Sequence, residues 1–131
     1  MTRAVPGEDQ PGPIAAQSMR GRLRAATDGG TALDDPSDTE LLEILEDIDA
    51  GDGSCLIVER LDDPSGQTYV QVLRTEADPG WEVEHRAGSP ERHFHTAVGD
   101  VESAHHLVAG WALDRPDWLH SVRWTRVEFN P

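Results

Sequence analysis

The chain has one cysteine in 131 residues, no lysine, and an aromatic content of only 5%. A single thiol, Cys55, excludes an internal disulfide and a multi-thiolate zinc site. Its surroundings are acidic, which raises a thiol pKa, so the ordinary role of a small buried hydrophobe fits Cys55 better than that of a nucleophile. No apolar run approaches the roughly 20 residues of a membrane-spanning helix. The N-terminal residues also lack the apolar stretch of roughly 7–15 residues found in a secretory leader. A cytoplasmic protein is therefore expected. All 11 basic residues are Arg; a G/C-rich genome, which favours Arg, Ala, Gly and Asp codons, is sufficient cause. The sequence contains no Gly-x-Ser-x-Gly elbow, no phosphate-cradling loop with Lys and no His-Glu-x-x-His. It therefore offers no complete catalytic set and calls for no cofactor.

What the chain has in excess is negative charge. Twenty-five acidic against 11 basic residues give a formal net charge of −14 and a pI near 4.6. Such a chain is repelled by nucleic acid and by anionic lipid. The charge is concentrated between Asp34 and Asp63, where twelve carboxylates face a single Arg.

Residues 1–36 are rich in Pro and Gly and poor in large apolar side chains. They are expected to form a disordered tail, within which the spacing of Met19 and Leu23 would suit a short helix over Ile14–Ala26. A single α+β domain is expected over 37–131. Ser37-Asp38-Thr39-Glu40 reads as a capping box. After it, Leu41, Leu42, Ile44, Leu45 and Ile48 fall on one helical face, and Glu43, Glu46, Asp47 and Asp49 on the other. Four strand-like runs follow, over Cys55–Leu61, Gln67–Thr75, Trp81–Arg86 and Arg92–Ala97, separated by Pro/Gly/Asp turns. In the third run Trp81, Val83 and His85 alternate with Glu82, Glu84 and Arg86, the signature of a sheet with one wet face. Asp100 is the expected N-cap of a second helix to about Leu113, and Leu119–Phe129 the expected fifth strand. The predicted architecture is a helix, a four-stranded antiparallel meander, a second helix and a C-terminal fifth strand, with both helices on one sheet face.

Three features invite a functional reading. His93 and His95 stand two apart on a strand, so their imidazoles share a face and, with Glu84, could hold a divalent metal; a polar sheet face is the simpler alternative. Trp118, after Pro116-Asp117, is the tryptophan expected to be partly exposed to a partner, whereas Trp111 and Trp124 fit core positions. The acidic helix could steer a basic macromolecule into fast association.

Read together, Tyr69-Val70-Gln71, Trp81 to Gly88, His93-Phe94-His95, Gly110-Trp111 and Trp118…Val122-Arg123-Trp124 resemble small, largely uncharacterised actinobacterial α+β proteins. These are of the immunity-protein type, encoded near secreted toxins. The resemblance implies a cytoplasmic protein whose work is binding, and it transfers no active-site residues. The expected function is thus that of a non-enzymatic acidic protein, an immunity- or antitoxin-like inhibitor of a basic partner such as a toxin domain. Its expected contact residues are Glu43, Glu46, Asp47, Asp49, Gln71, Glu82, Glu84, His93, His95 and Trp118, and it is expected as a monomer or weak dimer. The alternative is a metal-binding domain or metal-dependent enzyme using His93, His95 and Glu84.

Overall fold

Ser37 opens the first helix, α1 (Asp38–Asp49), with both halves of a capping box. Its hydroxyl accepts the Glu40 amide at 3.1 Å, and its own amide donates to the Glu40 carboxylate at 2.9 Å. Leu41, Ile44, Leu45 and Ile48 are buried beneath it. The second helix, α2 (Val101–Ala112), is capped by Asp100, which accepts the Ser103 amide at 2.7 Å. The N-terminal end of α1 is tied to α2 through Asp38, whose carboxylate meets Arg115 at 2.8 Å and His105 at 2.5 Å. Arg115 is the main reason that this carboxyl is held below its ordinary range, with His105 adding to it.

The chain is represented by a computed structural model that describes residues 22–129. Its strands are β1 (Leu23–Thr27), β2 (Ala32–Asp34), β3 (Cys55–Arg60), β4 (Thr68–Arg74), β5 (Trp81–Ala87), β6 (His93–Val98) and β7 (Thr125–Arg126). They form one antiparallel sheet of seven strands in the order β2-β1-β3-β4-β5-β6-β7. This corrects the expected four-stranded meander with a fifth strand: β3 to β6 are only the middle of a wider sheet. The two additional strands, β1 and β2, come from a stretch that composition assigned to a tail. The rest of that expected tail, residues 1–21, lies outside the described residues, as does most of the helix expected over Ile14–Ala26. Leu23–Ala26 are strand, not helix.

The reason for the difference is tertiary. Leu-Arg-Ala-Ala-Thr has weak intrinsic strand preference, but β1 pairs with β2 on one side and β3 on the other, which settles its conformation. The hairpin is also anchored beyond its own ladder. The Asp28 carboxylate accepts Ser54 N at 2.8 Å, Ser54 Oγ at 2.6 Å and Cys55 N at 3.0 Å, and these bonds hold its pKa down at about 2. At the other edge the expected fifth strand shrinks to two residues, and its expected start at Leu119 lies in a 3₁₀ turn, Trp118–His120.

Both helices lie on one face of the sheet. Leu56, Val58, Val70, Val72, Trp81 and Val83 point into that side and share one core with Leu41, Leu45, Leu107, Val108 and Trp111. The alternate strand residues point to the opposite face, over which no described helix lies.

Candidate functional site on the open sheet face

Alternation places the polar residues of β4, β5 and β6 side by side on the open face. Two cross-strand rows run through it in register: Tyr69–Arg86–His93 and Gln71–Glu84–His95. Glu82 lies two residues from Glu84 on the same strand face, opposite Leu73 and Ala97.

His93 is the fixed point. Although it stands on the open face it is only 3% exposed, because side chains from distant parts of the chain close over it. Phe129 meets its ring edge-on at 5.1 Å and Tyr69 at 6.0 Å. The Arg86 guanidinium lies over both of those rings, at 5.7 Å from Tyr69 and 5.2 Å from Phe129. Arg86 Nε donates to His93 Nδ1 at 3.0 Å, and the same guanidinium donates to Gln67 Oε1 at 2.9 Å. An arginine cannot accept, so Nδ1 carries the lone pair and Nε2 carries the hydrogen. Nε2 then donates to Glu84 Oε1 at 2.6 Å.

This arrangement decides which groups could hold a metal. Both nitrogens of His93 are used, so the His93–His95–Glu84 combination expected from strand spacing is not the one the fold assembles. Among the described residues, the set with ligand atoms all within 4.8 Å of one another is Glu82, Glu84 and His95. His95 Nε2 stands 3.8 Å from Glu82 Oε1, beyond hydrogen-bonding distance.

The other expected contact residues lie elsewhere. Glu43, Glu46 and Asp47 are exposed on the outer side of α1, across the sheet from Glu82, Glu84 and His95. Asp49 is paired with Arg74 at 3.2 Å. One rigid partner therefore cannot cover the helix acids and the polar sheet face together. Trp118 is half-buried on the helix side, set against Gly110 and edge-on to His85 at 5.1 Å and to Trp124 at 5.8 Å.

Comparison with known protein families, with curated proteins and with solved structures finds no match for the chain. Its site is therefore read from its own residues.

A groove beside α1 escaped sequence reasoning because one of its walls comes from β1, β2 and the turn joining them. Its volume is about 170 Å³, and it is lined by Thr27, Thr31, Leu33, Glu40, Glu43, Ile44, Asp47, Ile48 and Asp52. Ile44 and Ile48 are buried and Leu33 half-buried, forming an apolar floor, while Glu43, Asp47 and Asp52 are exposed around it. Glu43, Asp47 and Asp52 make no ion pair among the described residues. His85 lies on the covered face, as its alternation with Glu84 and Arg86 implies, and is 6% exposed; what the sequence did not show is that Phe94, Trp118 and Trp124 surround it. Among the described residues no helix is long and apolar enough to cross a membrane.

Proposed function

We propose that the chain is a non-enzymatic binding protein that captures a basic protein partner through the groove beside α1. The supporting observation is the pairing of an apolar floor, Leu33, Ile44 and Ile48, with a carboxylate rim, Glu43, Asp47 and Asp52. An arginine or lysine side chain has the complementary build, an aliphatic stem ending in a cation. The net charge of −14 extends the attraction beyond contact range and accelerates encounter. In this reading Glu46 lies at the margin of the contact and Asp49, already paired with Arg74, contributes less. An immunity-type role, neutralising a basic toxin domain in the cytoplasm, is the biological setting that the sequence resemblance suggests.

Titration of the full chain with a labelled Arg-rich peptide, and then with the basic domain of any toxin encoded beside its gene, tests this. The Glu43→Gln/Asp47→Asn variant is expected to bind at least about tenfold more weakly at low salt, a loss of roughly 1.4 kcal/mol. Neutralising the same number of charges on the opposite face, in Glu82→Gln/Glu84→Gln, is expected to change little. Equal weakening by both variants, or binding indifferent to salt, would refute local capture in the groove.

A further inference from the structure

We propose that Glu82, Glu84 and His95 bind one first-row divalent metal ion of the zinc class on the open face of the sheet. The three ligand atoms come within 4.8 Å of one another from adjacent strands, with Glu84 and His95 directly opposed in register. A sheet interior is a rigid platform, so this convergence does not depend on a loop closing. The 3.8 Å gap between His95 Nε2 and Glu82 Oε1 is too long for a hydrogen bond. It is short enough for one ion to bridge with two bonds of about 2.0–2.2 Å.

The surrounding shell supports the same assignment. Glu84 is oriented by the buried His93, which Arg86 in turn holds in its Nε2–H form, so one Glu84 oxygen is committed and the other remains for an ion. Support of this kind, behind the ligands themselves, is what sets carboxylate orientation at metal centres. The His95 side chain makes no hydrogen bond among the described residues. The side chains of His95 and Glu82 are 35% and 42% exposed, which leaves an approach from solvent and a fourth coordination position for water. One imidazole with two carboxylates suits zinc and its first-row neighbours, whereas magnesium and calcium prefer oxygen alone. The site lies across the sheet from the groove and does not depend on the groove's role.

The test is calorimetric titration of the full chain, stripped with a chelator, with Zn²⁺, alongside Co²⁺ monitored by its visible absorption. One ion per chain is expected, with visible Co²⁺ bands that Zn²⁺ displaces. His95→Ala and Glu82→Gln, both at partly exposed positions, are each expected to weaken binding at least about tenfold while circular dichroism stays unchanged. Glu43→Gln, in the groove, is expected to leave it intact. Absence of binding would overturn the proposal. So would binding that survives both site variants, or Mg²⁺ and Ca²⁺ binding as tightly as Zn²⁺.

Discussion

Arg86 donates its Nε hydrogen to Nδ1 of His93 across 3.0 Å, and this one bond fixes which nitrogen of the buried imidazole faces Glu84. The hydrogen on Nε2 makes His93 a donor to the carboxylate and not a ligand in its own right. The chemistry of the open face thereby passes to its neighbours, Glu82, Glu84 and His95.

Nitrogen-15 chemical shifts of the His93 ring should show Nε2 protonated and Nδ1 bare. Arg86→Met removes that donor and a guanidinium lying over Tyr69 and Phe129, so urea unfolding should register a loss of about 1–3 kcal/mol. A protonated Nδ1 in the wild-type chain would contradict the assignment.

His85 carries a built-in pH dependence. Burial, with the nearby His93 a lesser contributor, depresses its pKa from 6.5 to about 4. Below pH 6.5 the unfolded chain takes up a proton at this residue that the folded chain resists. The stability present above pH 6.5 is therefore lost as the pH falls toward 4, by roughly 3 kcal/mol in all. His85 Nε2 also has no hydrogen-bond partner among the described residues. His85→Phe should remove this slope and raise stability near neutrality by about 1 kcal/mol. An unchanged slope in that window would assign the titration elsewhere.

Gly110 reverses the usual helix rule. Replacing a mid-helix glycine by alanine ordinarily stabilises by about 1 kcal/mol. A Cβ at this position would sit 2.4 Å from Trp118 Cβ and 2.7 Å from its Cγ. Overpacking on that scale costs about 1–3 kcal/mol, so Gly110→Ala should lower the urea midpoint. A shift in tryptophan emission should accompany it as Trp118 is displaced.

A chain beginning at Ser37 would lack β1 and β2. The unpaired side of β3 and the apolar side chains of Leu56 and Val58 would then meet water. Such a fragment is expected to lose cooperative thermal unfolding by circular dichroism and to associate on size-exclusion chromatography. A monomeric fragment with wild-type cooperativity would show that β1 is dispensable.

Local signals were legible wherever the partners lie close in sequence. The Ser37–Glu40 box, the Asp100 cap and the alternation of Trp81, Val83 and His85 with Glu82, Glu84 and Arg86 all state their geometry within a few residues. β1 was illegible because its alanines acquire strand conformation only from neighbours on both sides. The burial of His93 was illegible for a similar reason: Phe129, which closes over it, follows 36 residues later (129 − 93). The spacing of the His-x-His pair states that both imidazoles share one strand face, but it carries no sign of the capture of His93 by Arg86 and Glu84. Nor does local periodicity reveal the groove, since its two walls are brought together by the sheet.

The sheet ends in stubs, three residues of β2 on one side and two of β7 on the other. An intruding strand would find very few free amides and carbonyls to dock against, and fibrous growth needs a long, flat template. At high concentration, self-recognition by ladder extension is thereby discouraged, and any association must run through side chains.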